Sequence, residues 1–182
     1  MPVENVPNEV AWYCVNNSCS AQITRNIEHF VSRDGMDIDG LGIRVVAQLV
    51  EEGLINDVAD LYALSLDELL NLEGFAKKKA ENILSAIAES KKKPLVILIR
   101  ALGIKGIGEV ASEELASRYR DLEEISKAEK EDIENIDGFG PNTAESLKQW
   151  FSSPKILKQL GGYMLLVSGQ KAISINYLRK IH

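Results

Sequence analysis

The sequence is short of cysteine, of long apolar runs and of positive charge, and each shortage argues against a class of protein. Its 182 residues include only two cysteines, so we do not expect a secreted scaffold held together by disulfides. We expect a cytoplasmic setting instead. The apolar run at residues 95–99 is closed off by Arg100, and no run approaches the roughly 18 residues of a membrane-spanning helix. No charged-then-apolar leader opens the chain, so no secretory signal is expected.

Acidic residues outnumber basic ones, 27 against 21, which gives a formal net charge of -6. Such a chain does not hold nucleic acid through bulk attraction for phosphate, so any DNA binding must depend on local geometry. The lysines do cluster, at residues 77–79 and 91–93. Either run is typical of a solvated helix face, and it is also compatible with phosphate contacts.

A glycine-containing pattern of five residues recurs four times, at residues 38–42, 72–76, 104–108 and 136–140. Each copy has an apolar residue two places before its first glycine and another directly after it. Apolar residues at helical spacing follow every copy. The repeat predicts an all-α fold of four tandem helix-hairpin-helix motifs. Further helix and short connectors are expected between them, for example at residues 58–64 and 122–125.

This pattern suits a phosphate group. Glycine adopts positive φ easily and has no Cβ, so the turn can be tight and another backbone can approach it. The turn opens a second helix, whose first N–H groups and positive dipole end favour an anion. Such contacts bind the backbone without reading bases. The expected DNA-binding residues are Gly40, Gly42, Arg44, Gly74, Lys77, Lys78, Gly106, Gly108, Gly138, Gly140, Asn142 and Thr143.

The four copies are not identical. In the second, Ala76 replaces the second glycine, so close approach is expected to be harder there and the two following lysines to compensate. In the third, Glu109 would repel a phosphate unless it points away. In the fourth, Pro141 falls in the first helical turn, where a missing N–H costs little. A single copy could also be a tight connection between helices and nothing more.

Three further sequence features concern helix starts. Ser65 with Glu68, and Ser126 with Glu129, have the spacing of a capping box and predict two helix N-termini. Asp37 and Asp39 form a carboxylate pair without a partner histidine. We therefore expect them to cap the helix after the first hairpin rather than to act in catalysis.

Cys14 and Cys19 form a C-x4-C pair, whereas a structural zinc site needs four ligands. The two histidines are His29, which lies on an expected helix, and His182 at the end of the chain. Three interpretations remain open from these residues alone: idle cysteines, a complete site within the chain, or half of a site completed by another segment or by a second chain.

Several stretches together resemble one family. Residues 12–22 are similar to the second half of the four-cysteine zinc finger of bacterial NAD-dependent DNA ligases, and residues 29–42 to the entry into that family's helix-hairpin-helix domain. Shorter matches fall at residues 58–62, 72–75, 101–104 and 138–140. The resemblance implies a zinc-finger remnant at residues 1–24, a helix-hairpin-helix domain like domain 2 of RuvA at residues 25–160, and a tail of uncertain structure at residues 161–182.

The departures from that family bear on function. The first zinc cysteine pair, the oligonucleotide-binding fold and the BRCT domain have no counterpart, and no Lys-x-Asp-Gly nucleophile motif occurs. The resemblance therefore implies a non-catalytic part of a ligase that grips duplex or nicked DNA from the minor-groove side, in replication and repair, near the bacterial nucleoid. It implies that this chain binds no cofactor, that NAD is used elsewhere in the enzyme, and that Cys14 and Cys19 are half of a zinc site. The expected partners are DNA and the remaining ligase domains, with a monomer expected and a dimer as the alternative.

Two other functions compete with this one. Tandem hairpins also occur in stand-alone repair or junction-binding proteins, which would prefer branched DNA. Alternatively, the hairpins are only structural and the chain is a protein-interaction scaffold.

Overall fold

A computed structural model of the chain describes residues 3–5, 12–14 and 20–153, with side chains from residue 20 onwards. Two short strands, β1 (Val3–Asn5) and β2 (Trp12–Cys14), pair antiparallel, with Val3 opposite Cys14 and Asn5 opposite Trp12. Cys14 therefore ends β2, and its side chain and all of Cys19 lie outside the described residues. The expected tail at residues 161–182 lies outside them as well.

From residue 20 to residue 153 the described chain is helices and connectors, which confirms the all-α prediction. The helices are α1 (Ser20–Val31), α2 (Ile43–Glu51), α3 (Leu66–Leu70), α4 (Lys77–Ser90), α5 (Leu95–Ala101), α6 (Glu109–Arg118), α7 (Leu122–Lys127), α8 (Lys130–Glu134) and α9 (Pro141–Ser152). A 3₁₀ turn at Asp60–Ala63 and helix α7 occupy the two predicted connectors. Helix α1 runs across the domain boundary expected at residue 24. No helix of the described residues is both long enough and apolar enough to cross a bilayer.

Side-chain caps fix the starts of two connecting helices. At α3, Ser65 accepts from the backbone N–H of Glu68, and the Glu68 carboxylate accepts from the N–H of Ser65, so the predicted capping box is present. The box predicted at Ser126 is wrong, because Ser126 lies in the last turn of α7 and its hydroxyl donates to the carbonyl of Glu123. The cap of α7 is Asp121, which accepts from the N–H of Glu124.

The expectation that Asp37 and Asp39 cap the next helix is also wrong, since α2 starts after Gly42 and has no side-chain cap. Asp37 instead sits at a turn with φ of 48°, where its N–H donates to the carbonyl of Ser32. Its carboxylate lies 3.6 Å from Nζ of Lys93. A short polar residue is among the few that tolerate this backbone conformation.

One continuous apolar core runs through the helical region. It includes residues from α1 and the hairpins, and its largest fully buried side chains are Phe30, Ile27, Met36, Leu49, Ile55, Leu61, Leu69, Ile83, Ile99, Leu115, Ile125 and Ile133. The few buried polar groups are satisfied: the Ser90 hydroxyl donates to the carbonyl of Ile87 and lies 3.0 Å from the hydroxyl of Tyr62. Because every hairpin contributes to this core, the turns are held in fixed relative positions.

Polar links join the third hairpin to α1 and to the chain just ahead of the first hairpin. Nε of Arg100, in α5, donates to the carbonyl of Asp34 ahead of the first hairpin, at 3.0 Å. The ring of His29, in α1, packs beside Gly103, and its Nε2 lies 3.4 Å from the carbonyl oxygen of Arg100. His29 is thus an exposed packing residue of α1, as its sequence position suggested.

Candidate nucleic-acid interface

The four turns have the same backbone conformation. In each, the first glycine has a positive φ: 87° at Gly40, 77° at Gly74, 83° at Gly106 and 79° at Gly138. In each, the N–H of the residue after that glycine donates to the carbonyl three residues earlier, at 2.9 to 3.3 Å. This is a β-turn whose third position needs a left-handed conformation, which glycine adopts without strain.

The apolar residues of the pattern point into the core. The residue after the first glycine is buried in every turn, with 3% to 8% of its surface exposed; these residues are Leu41, Phe75, Ile107 and Phe139. The residue two places before that glycine is buried too, as Ile38, Leu72, Ile104 and Ile136. Each turn is therefore anchored by two side chains, while its glycines stay at the surface.

The fifth residue of each copy is the N-cap of the following helix. Gly42, Ala76, Gly108 and Gly140 all have extended backbone, and none has a side chain that accepts a capping hydrogen bond from the helix. Each N-cap carbonyl accepts from the N–H four residues later, at 2.9 to 3.1 Å. In α2 and α9 the N–H of the third residue also donates to the N-cap carbonyl, and α9 begins with Pro141, which has no N–H. The N–H groups left for solvent or for a ligand are therefore the first ones of α4 and α6, those of Ile43 and Arg44 in α2, and that of Asn142 in α9. Free N–H groups at a helix start are suited to an anion, and this arrangement recurs at the four turns.

Space around the second glycine is open. A Cβ added to Gly42, Gly108 or Gly140 would meet nothing within 4 Å. Their extended φ values are accessible to any residue, so neither conformation nor packing among the described residues calls for glycine there. A requirement for a small residue would have to come from something that approaches the turn from outside.

In the second hairpin, Ala76 has φ of -85° and ψ of 156°, the same extended conformation as the glycines at the equivalent positions. The helix after it begins with three exposed lysines. Lys77 lies 3.8 Å from Glu81, Lys78 is exposed, and Nζ of Lys79 lies 3.9 Å from the ring centre of Phe75. The alanine therefore does not disturb the turn, and three cations lie at the helix start, of which Lys79 is held over the ring of Phe75.

The third hairpin contains charged residues that the sequence analysis did not assign. Nη1 of Arg100 donates to Oε1 of Glu109 at 3.2 Å, so the Glu109 carboxylate is paired with a cation. Lys105 is exposed within the turn itself. Aligning the four copies would have shown Lys105, because the other three have an acidic residue at its position. The role of Arg100 depends on a tertiary contact, so no pattern in the sequence indicates it.

The remaining predicted residues lie where expected along the chain. Arg44 is exposed in the first turn of α2, and Asn142 is exposed in the first turn of α9, after Pro141. Thr143 is half-buried, and its N–H already donates to the carbonyl of Gly140 at 3.0 Å. The fourth hairpin therefore offers the N–H of Asn142 more freely than that of Thr143.

A metal centre is not found among the residues whose side chains are described, where no three histidine, cysteine or acidic side chains come together. The cysteine pair falls outside those side chains, so the half-site expected at Cys14 and Cys19 stays a prediction.

Two family models match the chain. Residues 33–89, which hold the first two hairpins, match a model described as a SAM-like helix-hairpin-helix tandem. Residues 97–160, which hold the other two, match a model described as a helix-hairpin-helix motif. Both matched segments are therefore similar to proteins of the helix-hairpin-helix class.

Within that class, the chain is similar to bacterial DNA ligases. It is 45% identical over 153 residues to the DNA ligase of Herpetosiphon aurantiacus, covering 84% of this chain and 23% of the ligase. It is 46% identical over 155 residues to that of a Roseiflexus species and 43% identical over 155 residues to that of Bacillus licheniformis. These matches cover 85% of this chain and 21% and 23% of the two ligases. The chain thus spans less than a quarter of the length of the relatives it matches.

Proposed function

We propose that this chain binds the sugar-phosphate backbone of duplex DNA without sequence preference, as the helix-hairpin-helix part of an NAD-dependent DNA ligase. The observation that carries the proposal is the repeated turn: four helix starts without side-chain caps, each preceded by a small residue, with open space around the three of these residues that are glycine. Phosphate oxygens are suitable ligands for such helix starts. The similarity to bacterial DNA ligases supports duplex DNA as the source of the phosphates.

The local geometry of the helix starts can provide a phosphate affinity that the net charge of the chain does not. Neutral N–H groups at the helix starts can bind phosphate in a chain with a net charge of -6. Arg44, Lys77 and Lys78 add exposed cations at the first two hairpins. We expect weak binding by this chain alone, because four turns contact few phosphates. In a complete ligase, further domains would add contacts.

The chemistry of nick sealing is assigned to other parts of the ligase. This chain has no lysine in a Lys-x-Asp-Gly motif, so no residue matches the family's adenylated nucleophile. Its contribution would be to hold nicked DNA, with contacts on the minor-groove side, while NAD is used elsewhere. The proposed setting is the bacterial cytoplasm, on the nucleoid.

The test is a fluorescence-anisotropy titration of the 182-residue chain with several unrelated duplexes of about 20 base pairs at low salt. We expect similar affinities for all sequences and a loss of affinity as salt rises. Absence of binding by the folded chain would refute the proposal and favour a protein-interaction scaffold. A clear preference for four-way junctions over linear duplexes would favour the stand-alone junction-binding alternative.

We also propose that Cys14 and Cys19 supply two of the four ligands of a structural zinc site. A C-x4-C pair has the right donors, and the described residues offer no second cluster to complete the set. The other two ligands must then come from another segment or from a second chain. Zinc content measured together with solution mass separates the outcomes: zinc with a dimer indicates a shared site, and a zinc-free monomer indicates an incomplete one.

A further inference from the structure

The third hairpin differs from the other three in the charge of its turn. The residue before the first glycine is acidic in three copies, as Asp39, Glu73 and Asp137, but is Lys105 in this one. Lys105 is exposed, and no ion pair to it is found within the described part of the chain. A phosphate that approaches this turn would meet a positive side chain where the other turns present a negative one.

Arg100 is a second cation at the same turn. Its Nε is fixed by a hydrogen bond to the carbonyl of Asp34, so the guanidinium has a defined orientation. Its Nη1 reaches Glu109, the residue directly after Gly108 and the first of α6. The guanidinium therefore lies beside the helix start whose N–H groups are left without a side-chain cap.

The contact with Glu109 shows that the Arg100 guanidinium binds an anionic oxygen. Its carboxylate is an anion held by Arg100 next to the turn, and carboxylate and phosphate oxygens are both accepted by the same donors of arginine. The Glu109 side chain is 72% exposed, whereas that of Arg100 is 31% exposed. Exposed ion pairs of this kind are weak, so the carboxylate can leave at little cost when a stronger anion arrives.

We propose that Arg100 and Lys105 are phosphate-binding residues of the third hairpin, and that Glu109 occupies Arg100 until a DNA phosphate displaces it. The inference rests on the proposed DNA-binding function and adds to it two contacts and an internal competitor. It also explains how an acidic residue can stand at the start of a helix that binds an anion.

A simpler role for Arg100, neutralising Glu109, predicts the opposite coupling between the two residues. If Arg100 only neutralises Glu109, then removing the carboxylate helps DNA binding most when Arg100 is absent and the carboxylate is unpaired. If Glu109 competes with phosphate for Arg100, removing the carboxylate helps more when Arg100 is present than when it is absent. The sign of the coupling between the two substitutions therefore separates the two roles.

The experiment measures duplex affinity for the full chain and for Glu109→Gln, Arg100→Gln and the double variant across a range of salt. We expect Glu109→Gln to raise affinity about two- to fivefold, the range of an exposed ion pair. The same change should raise affinity less in the Arg100→Gln background. Arg100→Gln should lower affinity and reduce the slope of log affinity against log salt by about one. A gain from Glu109→Gln that is equal or larger without Arg100 would overturn the inference.

Two controls accompany the cycle. Glu114→Gln removes the same unit of charge in the middle of α6, where Glu114 pairs with Arg118 at 3.7 Å, and should change affinity little. Lys105→Gln disturbs no described contact, so it tests the site even if Arg100→Gln does not fold. It should also reduce the salt slope by about one, and an unchanged slope would contradict the assignment of Lys105. Failure of the unmodified chain to bind any duplex would instead refute the proposed function itself.

Discussion

At the scale of single residues, different physical reasons explain the small residues at the third and fifth positions of each hairpin pattern. Gly138 has φ of 79°, a conformation that an L-residue adopts only with strain, so the fold itself favours glycine there. Gly140, two residues later, has φ of -106° and nothing within 4 Å of an added Cβ. Nothing described in the chain explains a small residue at that second position, whereas close approach of a phosphate backbone would.

Alanine substitutions at these two glycines should therefore separate stability from binding. We expect Gly138→Ala to lower the free energy of unfolding by about 1–2 kcal/mol, the cost of a left-handed conformation. We expect Gly140→Ala to change it by less than about 0.5 kcal/mol yet to weaken duplex binding. Urea unfolding and anisotropy titration of both variants measure the two effects. Equal destabilisation with unchanged binding by Gly140→Ala would show that the second glycine is structural.

The contribution of Glu68 to stability should depend on pH. Hydrogen bonds from the hydroxyl and the backbone N–H of Ser65 hold the pKa of its carboxyl below the ordinary value of 4.5. A carboxyl whose pKa is lower in the folded state contributes stability above its unfolded pKa and loses it as pH falls. Glu68→Gln should therefore lower the thermal midpoint at neutral pH and have a smaller effect at about pH 3.5. A difference that does not depend on pH would contradict this role of the charge.

At the scale of helices, polar side chains join α9 to the preceding connector. Nζ of Lys148 donates to the carbonyls of Ser126 and Ala128, at 3.2 and 2.7 Å, where α7 ends. The last carbonyls of a helix lack internal partners and carry partial negative charge, so a lysine is well suited to them. Lys130, in α8, pairs with Glu145, in α9, at 2.7 Å. In accord with this contact, the pKa of Lys130 is raised and that of Glu145 is lowered.

Removal of the Lys148 ammonium should weaken the attachment of α9 to the end of α7 and lower the free energy of unfolding. We expect Lys148→Met to cost about 1–2 kcal/mol, because two carbonyls lose a charged donor. Gln149→Met is the matched control, since Gln149 contacts only the exposed Glu145 in the described structure, and it should stay within about 0.5 kcal/mol. Urea unfolding measures both variants, and equal costs would show that the hydrogen bonds to α7 contribute nothing.

At the scale of the whole molecule, the proposed duplex binding is affected by both the continuous core and the unfavourable net charge. The continuous core fixes the four turns relative to one another. The charge of -6 keeps long-range attraction for phosphate weak, so the proposed duplex binding would depend on how many turns engage. Arg100 contributes to this arrangement, since its bond to Asp34 links the third hairpin to the first.

The salt dependence of duplex binding follows from the small number of cations at the turns. With about three to five phosphates neutralised, affinity should fall roughly 40- to 500-fold between about 50 and 200 mM salt. Replacing Lys77 and Lys78 together by glutamine should reduce the slope of log affinity against log salt by about two. An unchanged slope in that double variant would place the second hairpin outside the interface.

The sequence alone determined the all-helical fold and the place of each turn, because glycine, apolar anchors and helical spacing are local signals that recur at a near-constant period. It misplaced two sets of caps, at Ser126 and at Asp37 with Asp39, because where a helix ends depends on its neighbours as well as on spacing. Only the tertiary structure showed that Ala76 leaves the second turn intact and that the second glycines have open space around them. Only the tertiary structure brought Arg100 to Glu109 and to Asp34, since contacts between residues far apart in the chain form through packing and leave no periodic trace.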